Sequence, residues 1–282
     1  MTSQTETNQT LREWRDSAPY WAKYRETIGT MFAPLTEALI ADTQIERGHS
    51  VLDVAGGPGE PSLTIAQTVG ESGSVTCTDA VAEMVEAAEA EARTRGSTNI
   101  KFRQCTAESL PFPDDSFDRV VSRLGAMFFP DEAFAEILRV TKPGGRVGFV
   151  VWDKSELNPF SYLITNVMSR YTEDAPVELS VPGAFRFAEE GKLAALLKHA
   201  GAIHDRERIF KFEIAAPISP EEFWGMRSNT SETLRTKLAT LSESDKLAVA
   251  REVRHAVREY FPNNQMQFPA QMRVVTAAKP TD

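Results

Sequence analysis

The chain has 282 residues, 41% of them hydrophobic, with a net charge of −9 and an isoelectric point near 5.2. That length and apolar content suit one large α/β domain, or a domain with a sizeable insertion. The acidic balance and the lack of a Lys/Arg-rich run argue against a nucleic-acid partner, and two cysteines, Cys77 and Cys105, cannot build a disulfide framework or a thiol-rich metal site. The four histidines show no metal-ligand spacing, so no metal is expected. The polar start Met1–Thr10 lacks the regions of a signal peptide, and no apolar run approaches the ~20 residues that span a bilayer. A cytoplasmic protein without a membrane span is the expectation.

In chain order, residues 1–10 are rich in Thr, Gln and Asn and are expected to lack fixed structure. Residues 11–47 read as helical, with Trp14, Tyr20, Trp21 and Tyr24 clustered ahead of Pro34. The stretch Val51-Leu52-Asp53-Val54-Ala55-Gly56-Gly57-Pro58-Gly59 is a buried strand running into a glycine cluster, and a helix over 60–69 follows. Glycines allow positive φ and close approach of a ligand to the backbone. The helix start beyond them adds free N–H groups and a positive dipole end that suit an anion.

Spacing refines this reading. A dinucleotide loop would read G-x-G-x-x-G, with an acid about 20 residues on to hold a ribose. With Gly57 and Gly59 aligned to the first two glycines, Ser62 stands where the third belongs. The acid is present: Ser74–Asp79 reads as a second strand ending in a carboxylate that can accept both ribose hydroxyls. Strands at Ile100–Gln104, Phe117–Ser122 and Arg146–Trp152 follow, the last after the turn Lys142-Pro143-Gly144-Gly145. Helices at 80–95 and 131–140 alternate with them, which implies a parallel sheet with ligands at the carboxyl ends of its strands.

After Asp153 the alternation breaks. Residues 155–185 carry Pro159, Pro176 and Pro182; Glu189–His199 reads as a helix and Ile203–Ile214 as a strand. Ser219-Pro220-Glu221-Glu222 has a helix-start signature. Two helices are expected over 220–260, and a final strand at Gln271–Ala277. Segments 155–185 and 219–262 read as insertions forming a cap, with Phe223, Trp224, Tyr260 and Phe261 supplying apolar surface. Those aromatics would close over a substrate, or form the cap's own core or a possible homodimer contact.

Residues 50–153 resemble class I S-adenosylmethionine-dependent methyltransferases, nearest in flavour to the ubiquinone/menaquinone-biosynthesis branch and its small-molecule relatives. The resemblance rests on the glycine loop, TDAVAEMVEAA after strand two, AESLPFPDDSFDRVVS around strand four, and EILRVTKPGGRVGFV before strand five. Two positions depart from the pattern: Ala55 replaces the first loop glycine, and Thr106 replaces an acid that would accept from the adenine amino group. The resemblance implies a Rossmann-like, doubly wound, mostly parallel seven-stranded sheet with a helical cap in the C-terminal half. It divides the chain into an N-terminal helical lid (1–47), a cofactor-binding core (48–153) and the remainder of the sheet with its cap (154–282).

It also implies S-adenosylmethionine as cofactor, with S-adenosylhomocysteine as product, held by Asp53, Ala55, Gly56, Gly57, Gly59, Asp79, Ala80, Met84, Thr106, Ala107, Glu108 and Ser122. Plain turn, capping or packing roles remain open for each of these residues. The acceptor side is expected to draw on Tyr20, Tyr24, Arg123, Phe128, Trp152, Trp224 and His255, with core packing as the alternative use. An Asn/Asp-Pro-Pro-aromatic segment after strand four, typical of amide-directed enzymes, is absent, because that position reads Ser122-Arg123-Leu124-Gly125. The expected reaction is in-line methyl transfer to C or O of a small, flat or apolar molecule, with no catalytic residue assigned, since the activated methyl needs positioning above all. A non-catalytic cofactor-binding scaffold is one alternative; a nicotinamide oxidoreductase, disfavoured by the missing third glycine, is the other.

Overall fold

The computed structural model describes residues 4–172 and 182–281. Two helices, α1 (Gln4–Lys23) and α2 (Arg25–Thr43), precede the sheet. The first begins at Gln4, so residues 4–10, expected to be unstructured, extend the first helix. Five strands follow: β1 (Ser50–Val54), β2 (Ser74–Asp79), β3 (Ile100–Gln104), β4 (Phe117–Arg123) and β5 (Thr141–Trp152). Between them lie α3 (Ser62–Val69), α4 (Ala82–Thr94) and α5 (Glu132–Val140). The Lys142–Gly145 turn sits inside β5, where pairing with β4 jumps from Phe117↔Thr141 to Arg119↔Arg146.

Beyond β5 come α6 (Pro159–Met168), α7 (Lys192–His199) and β6 (Ile203–Ala216). Then α8 (Pro220–Thr230), α9 (Glu232–Ala239) and α10 (Glu243–Ala256) lead to β7 (Met266–Ala278). Three helices therefore occupy the stretch where two were expected. Ser231 and Ser242 each accept a backbone N–H as caps and restart the helix, while Ser219 and Glu222 close a reciprocal capping box.

The seven strands lie in the order β3-β2-β1-β4-β5-β7-β6, and β7 runs antiparallel to both its neighbours. Strand order reverses between β1 and β4, the place where open α/β sheets bind ligands. Helix α2 lies close against the sheet: a Cβ on Gly148 of β5 would come within 2.8 Å of Thr43 and 3.2 Å of Leu39. Phe134 packs edge-to-face against both Phe149 and Phe187, and all three rings are fully buried.

The cap helices pack on each other and on α1. Phe160, Phe223, Phe261 and Phe268 form one aromatic cluster, joined by Tyr260 stacked on Phe268. Phe223 is fully buried there, and through Phe268 of β7 these aromatics join the hydrophobic core of the sheet. Part of the expected insertion, residues 173–181, lies outside the described residues.

An ionic knot holds the edge of the sheet together. Arg273 of β7 donates to Asp153 at 3.2 Å, to the Ala188 carbonyl at 2.9 Å and to Glu207 of β6 at 2.6 Å. All three charged side chains are buried or nearly so. Removing one member of such a group leaves the others uncompensated, so Arg273→Ala should cost about 3–5 kcal/mol of stability in urea unfolding. A loss below about 1 kcal/mol, the range of an exposed pair, would show that the knot is solvated.

Candidate functional site

A cavity of about 480 Å³ opens at the carboxyl ends of the parallel strands. Its floor is made by four turns: Val54–Pro58 after β1, Asp79–Val81 after β2, Cys105–Glu108 after β3 and Arg123–Gly125 after β4. The roof comes from α1 and α2, through Leu11, Trp14, Trp21, Arg25, Ile28 and Phe32. Phe128, Phe129, Pro130 and Pro182 close one end. A second, more open cavity of about 310 Å³ shares Arg25, Gly29, Glu60 and Arg123 with the first and continues it beneath α2.

The loop after β1 is shaped by what lies beneath it. Gly57 has φ +55, in the left-handed region that glycine tolerates, and a Cβ there would meet no protein atom, because its open side is the cavity. Gly56 has the opposite constraint: a Cβ would come within 2.7 Å of the Cys77 sulfur and 2.8 Å of Asp53 Oδ2. Its N–H donates to the Thr78 carbonyl at 2.9 Å, pinning the loop to β2. The Asp79 carboxylate accepts the Gly57 N–H through Oδ2 and the Val81 N–H through Oδ1, each at 3.0 Å. Burial lifts the Asp79 pKa to about 6 despite those two donors.

Of the twelve expected cofactor contacts, Ala55, Gly56, Gly57, Asp79, Ala80, Met84, Thr106, Ala107 and Glu108 all line the cavity. Three do not. Asp53 is fully buried under the loop, where Oδ2 accepts the Ser62 hydroxyl at 2.6 Å and Oδ1 has no partner. Gly59 (φ +119) turns its α-carbon toward α3 and α4, where a Cβ would meet Leu63 at 2.9 Å. Ser122 is buried beneath Gly125, its hydroxyl without a partner. These residues support the loop from behind.

Of the expected acceptor-side residues, only Arg123 and Phe128 line the cavity. Tyr20 carries the Arg235 guanidinium 5.3 Å from its ring centroid, and the Tyr24 hydroxyl accepts from Asn229 at 3.2 Å. Trp152 stacks on Phe160 and meets Phe32 edge-on, one ring behind the cavity wall. Trp224 packs against the core, and His255 is exposed on α10.

The roof residues follow a pattern the sequence carries. Leu11, Trp14, Ala18, Trp21, Arg25, Ile28 and Phe32 recur at three- and four-residue intervals, one face of a helix across the α1–α2 break. Tyr20 and Tyr24 fall off that stripe. Trp14 lies 5.9 Å from Trp21 and 5.3 Å from Phe128, ring centre to ring centre, linking roof to end wall.

Arg123 spans roof and floor. It donates to the Phe32 carbonyl at 3.3 Å, the Thr36 hydroxyl at 2.7 Å and the Glu60 carbonyl at 3.0 Å. Burial lowers its pKa, opposed by the more distant Glu60 and Asp53. Cys105, on the floor, has its thiol pushed up to about 11 by burial, so it stays protonated.

Comparison with known proteins accords with this geometry. Residues 51–145 match the methyltransferase domain family. The methyltransferase YcgJ of Bacillus subtilis is 37% identical over 52% of this chain and 53% of its own. Its crystal structure superposes with a TM-score of 0.56 at 21% identity, over 88% of this chain and 99% of that one. The ubiquinone/menaquinone biosynthesis C-methyltransferase UbiE of Marinomonas sp. is 35% identical over 47% of this chain and 53% of its own. A phosphoethanolamine N-methyltransferase of Haemonchus contortus, solved with S-adenosyl-L-methionine, shares the fold at a TM-score of 0.58 and 17% identity, over 96% of this chain and 60% of that one. Residues 51–145 thus match a methyltransferase domain, and the sheet and helices around them share the fold of these solved structures. The chain spans about half the length of the curated relatives it matches. Among the described residues no helix is long and apolar enough to cross a membrane.

Asp53 makes stability pH-dependent. Burial raises its pKa from 3.8 to about 7, only partly offset by the Ser62 hydrogen bond and Arg123. Between those values the folded chain keeps a proton that the unfolded chain has released, so stability falls as pH rises through the window. The difference between the two values corresponds to about 4 kcal/mol in total. Asp53→Asn removes the titration. Its melting temperature should decline less steeply than wild type from about pH 4 to about pH 7, and parallel slopes would show that Asp53 is not the group responsible.

Proposed function

We propose that this chain transfers the methyl group of S-adenosylmethionine to C or O of a small, flat or apolar molecule. One observation carries the reading: a single cavity has the glycine loop and Asp79 on its floor and an apolar, aromatic-rich roof and end wall around Arg123 and Phe128. The residues fit the cofactor. Gly57 leaves open space where a side chain would stand, and each Asp79 oxygen, holding one N–H donor, retains a lone pair for a ribose hydroxyl. Ala80, Met84, Thr106, Ala107 and Glu108 frame the adenine end, and the backbone of Ala55–Gly57 faces the methionine end. The net charge of −9 and the relatedness to a quinone C-methyltransferase favour a small acceptor, with carbon as the methylated atom.

Bound S-adenosylmethionine would supply a methyl already activated by its sulfonium. The protein's share is to bind, align and exclude water. Trp14, Trp21, Phe32 and Phe128 surround the acceptor end with apolar surface that stacks on a flat ring. Helices α1 and α2, whose side chains form the roof, act as the lid over both molecules. Of the carboxylates and thiol in the described lining, Asp79 is committed to two loops, Glu60 to Arg95 at 2.9 Å, Cys105 is held protonated, and Glu108 stands exposed at the adenine end, away from Arg123 and Phe128 in this reading. This supports an acceptor that arrives already nucleophilic, as an enolate, a phenolate or an electron-rich ring carbon.

Titration of S-adenosylhomocysteine into the purified chain tests the cofactor half of the proposal. Asp79→Ala should weaken binding by about 1.5–3 kcal/mol, the range for a hydrogen bond to a charged acceptor. The Asp79 carboxylate must be ionised to accept both hydroxyls, and free of ligand its pKa is about 6. Affinity should therefore fall as pH drops below about 6, with proton release on binding, and the Ala variant should lose that component. Wild-type affinity in the variant would remove Asp79 from the site.

A further inference from the structure

The two cavities meet at Arg25, Gly29, Glu60 and Arg123, which line both. Arg25 and Glu60 have charged partners. Arg25 pairs with Glu91 at 2.7 Å, and the Glu60 carboxylate accepts from Arg95 at 2.9 Å and from the Thr64 hydroxyl at 2.8 Å. Arg123 makes no ion pair among the described residues. Its three hydrogen bonds go to uncharged oxygens, the Phe32 and Glu60 carbonyls and the Thr36 hydroxyl. A guanidinium carries five N–H donors, so the Nε hydrogen and one Nη2 hydrogen are left over. Glu60 and Asp53 act on Arg123 only from a distance, and Asp53 holds its proton up to about pH 7. The other charged groups of the second cavity are Arg95 and the exposed Glu26 and Glu37 of α2. At the junction itself a cation stands with two idle donors facing space that a small molecule can enter.

Gly29 shapes that space. It lies inside α2 without a positive φ, and a Cβ added there would meet no atom within 4 Å. Neither backbone conformation nor packing calls for glycine, and alanine would make the more stable helix. A side chain at this position would extend into the gap where the two cavities join, beside Arg123.

We propose that the methyl acceptor is an acidic phenol or enol bound as its oxyanion, which lies in the gap kept open by Gly29 and accepts the idle Nε and Nη2 hydrogens of Arg123. The inference rests on the methyltransferase reading of the larger cavity, and it narrows that reading from acceptors that arrive nucleophilic to those that arrive charged. Hydrogen bonds between a guanidinium and an oxyanion are roughly twice as strong as neutral ones, and the low dielectric of the junction strengthens them further. Transfer forms the new bond from the anion's own electron pair, while the carbon–sulfur pair returns to sulfur. The opposite charges cancel, and no proton has to leave with the methyl group.

Absorbance titration of 4-nitrophenol, whose phenolate alone is coloured in the visible, tests this at the pH where the free probe is half ionised. The whole chain is added with and without S-adenosylhomocysteine, whose own binding is followed by calorimetry. Wild type should raise the phenolate band saturably, to an extent that corresponds to about tenfold or more preference for the anion. Arg123→Lys should keep part of the preference, and Arg123→Gln should lose it. Gly29→Leu should bind S-adenosylhomocysteine within about threefold of wild type and melt at or above the wild-type temperature, yet leave the probe unshifted. No saturable rise with wild type overturns the proposal, as does an equal rise with Arg123→Gln or with Gly29→Leu. Loss of S-adenosylhomocysteine binding in Gly29→Leu also overturns it, because the gap would then belong to the cofactor. Arg123 ties roof to floor, so if Arg123→Gln does not fold, wild type against Gly29→Leu decides. If wild type fails to bind S-adenosylhomocysteine, the cofactor reading falls separately, while the probe measured alone still decides whether the junction selects an oxyanion.

Discussion

The Asp79 carboxylate, at the end of β2, accepts the Gly57 N–H with one oxygen and the Val81 N–H with the other. Through those two bonds it fixes the loop after β1 against the start of α4, and the remaining features of the cavity floor follow. Gly56 must lack a side chain because the pinned loop lies on Cys77 and Asp53. Asp53 must be enclosed because the loop covers it, and its pKa is accordingly raised to about 7. The loop in turn leaves Gly57 with open space on its cavity side. A short acidic side chain at a strand end thus organises both the geometry and the proton affinity of the site.

The roof is joined to this floor by a second polar element. Arg123 ties α2, at Phe32 and Thr36, to the Glu60 carbonyl beyond the glycine loop. Movement of the N-terminal helices is therefore coupled to the loop that carries the proposed cofactor contacts. Trp21 and Tyr24 extend the same connection to α8 through hydrogen bonds to Thr230 and Asn229. Floor, roof and cap meet around Phe32, whose ring lines the cavity on one side and packs on Trp152 and Phe160 on the other.

The sheet and the floor of the cavity are legible in the sequence because their signals are local. A strand, a glycine loop and a helix start are contiguous, and Asp79 is found by counting from the loop. Asp53 and Gly59 share that neighbourhood in sequence, and Ser122 lies near the end of β4, but all three face the packing side, a distinction set by backbone angles such as φ +119 at Gly59. The roof of the cavity is less legible: aromatic clustering points to Tyr20 and Tyr24, whereas the helical repeat selects Leu11, Trp14, Trp21 and Ile28, which line it. Trp224 and His255 were placed by proximity to a cap whose internal packing sequence spacing does not encode. The third cap helix depended on Ser231 and Ser242 acting as caps, a signal visible in the residues but weak beside the apolar pattern.

The most direct measurement is a crystal structure of the chain grown with S-adenosylhomocysteine. Both ribose hydroxyls are expected on the Asp79 carboxylate, the adenine among Met84, Thr106 and Glu108, and the sulfur directed toward the apolar space beside Arg123 and Phe128. A ligand bound elsewhere, or in this cavity with its ribose away from Asp79, would contradict it.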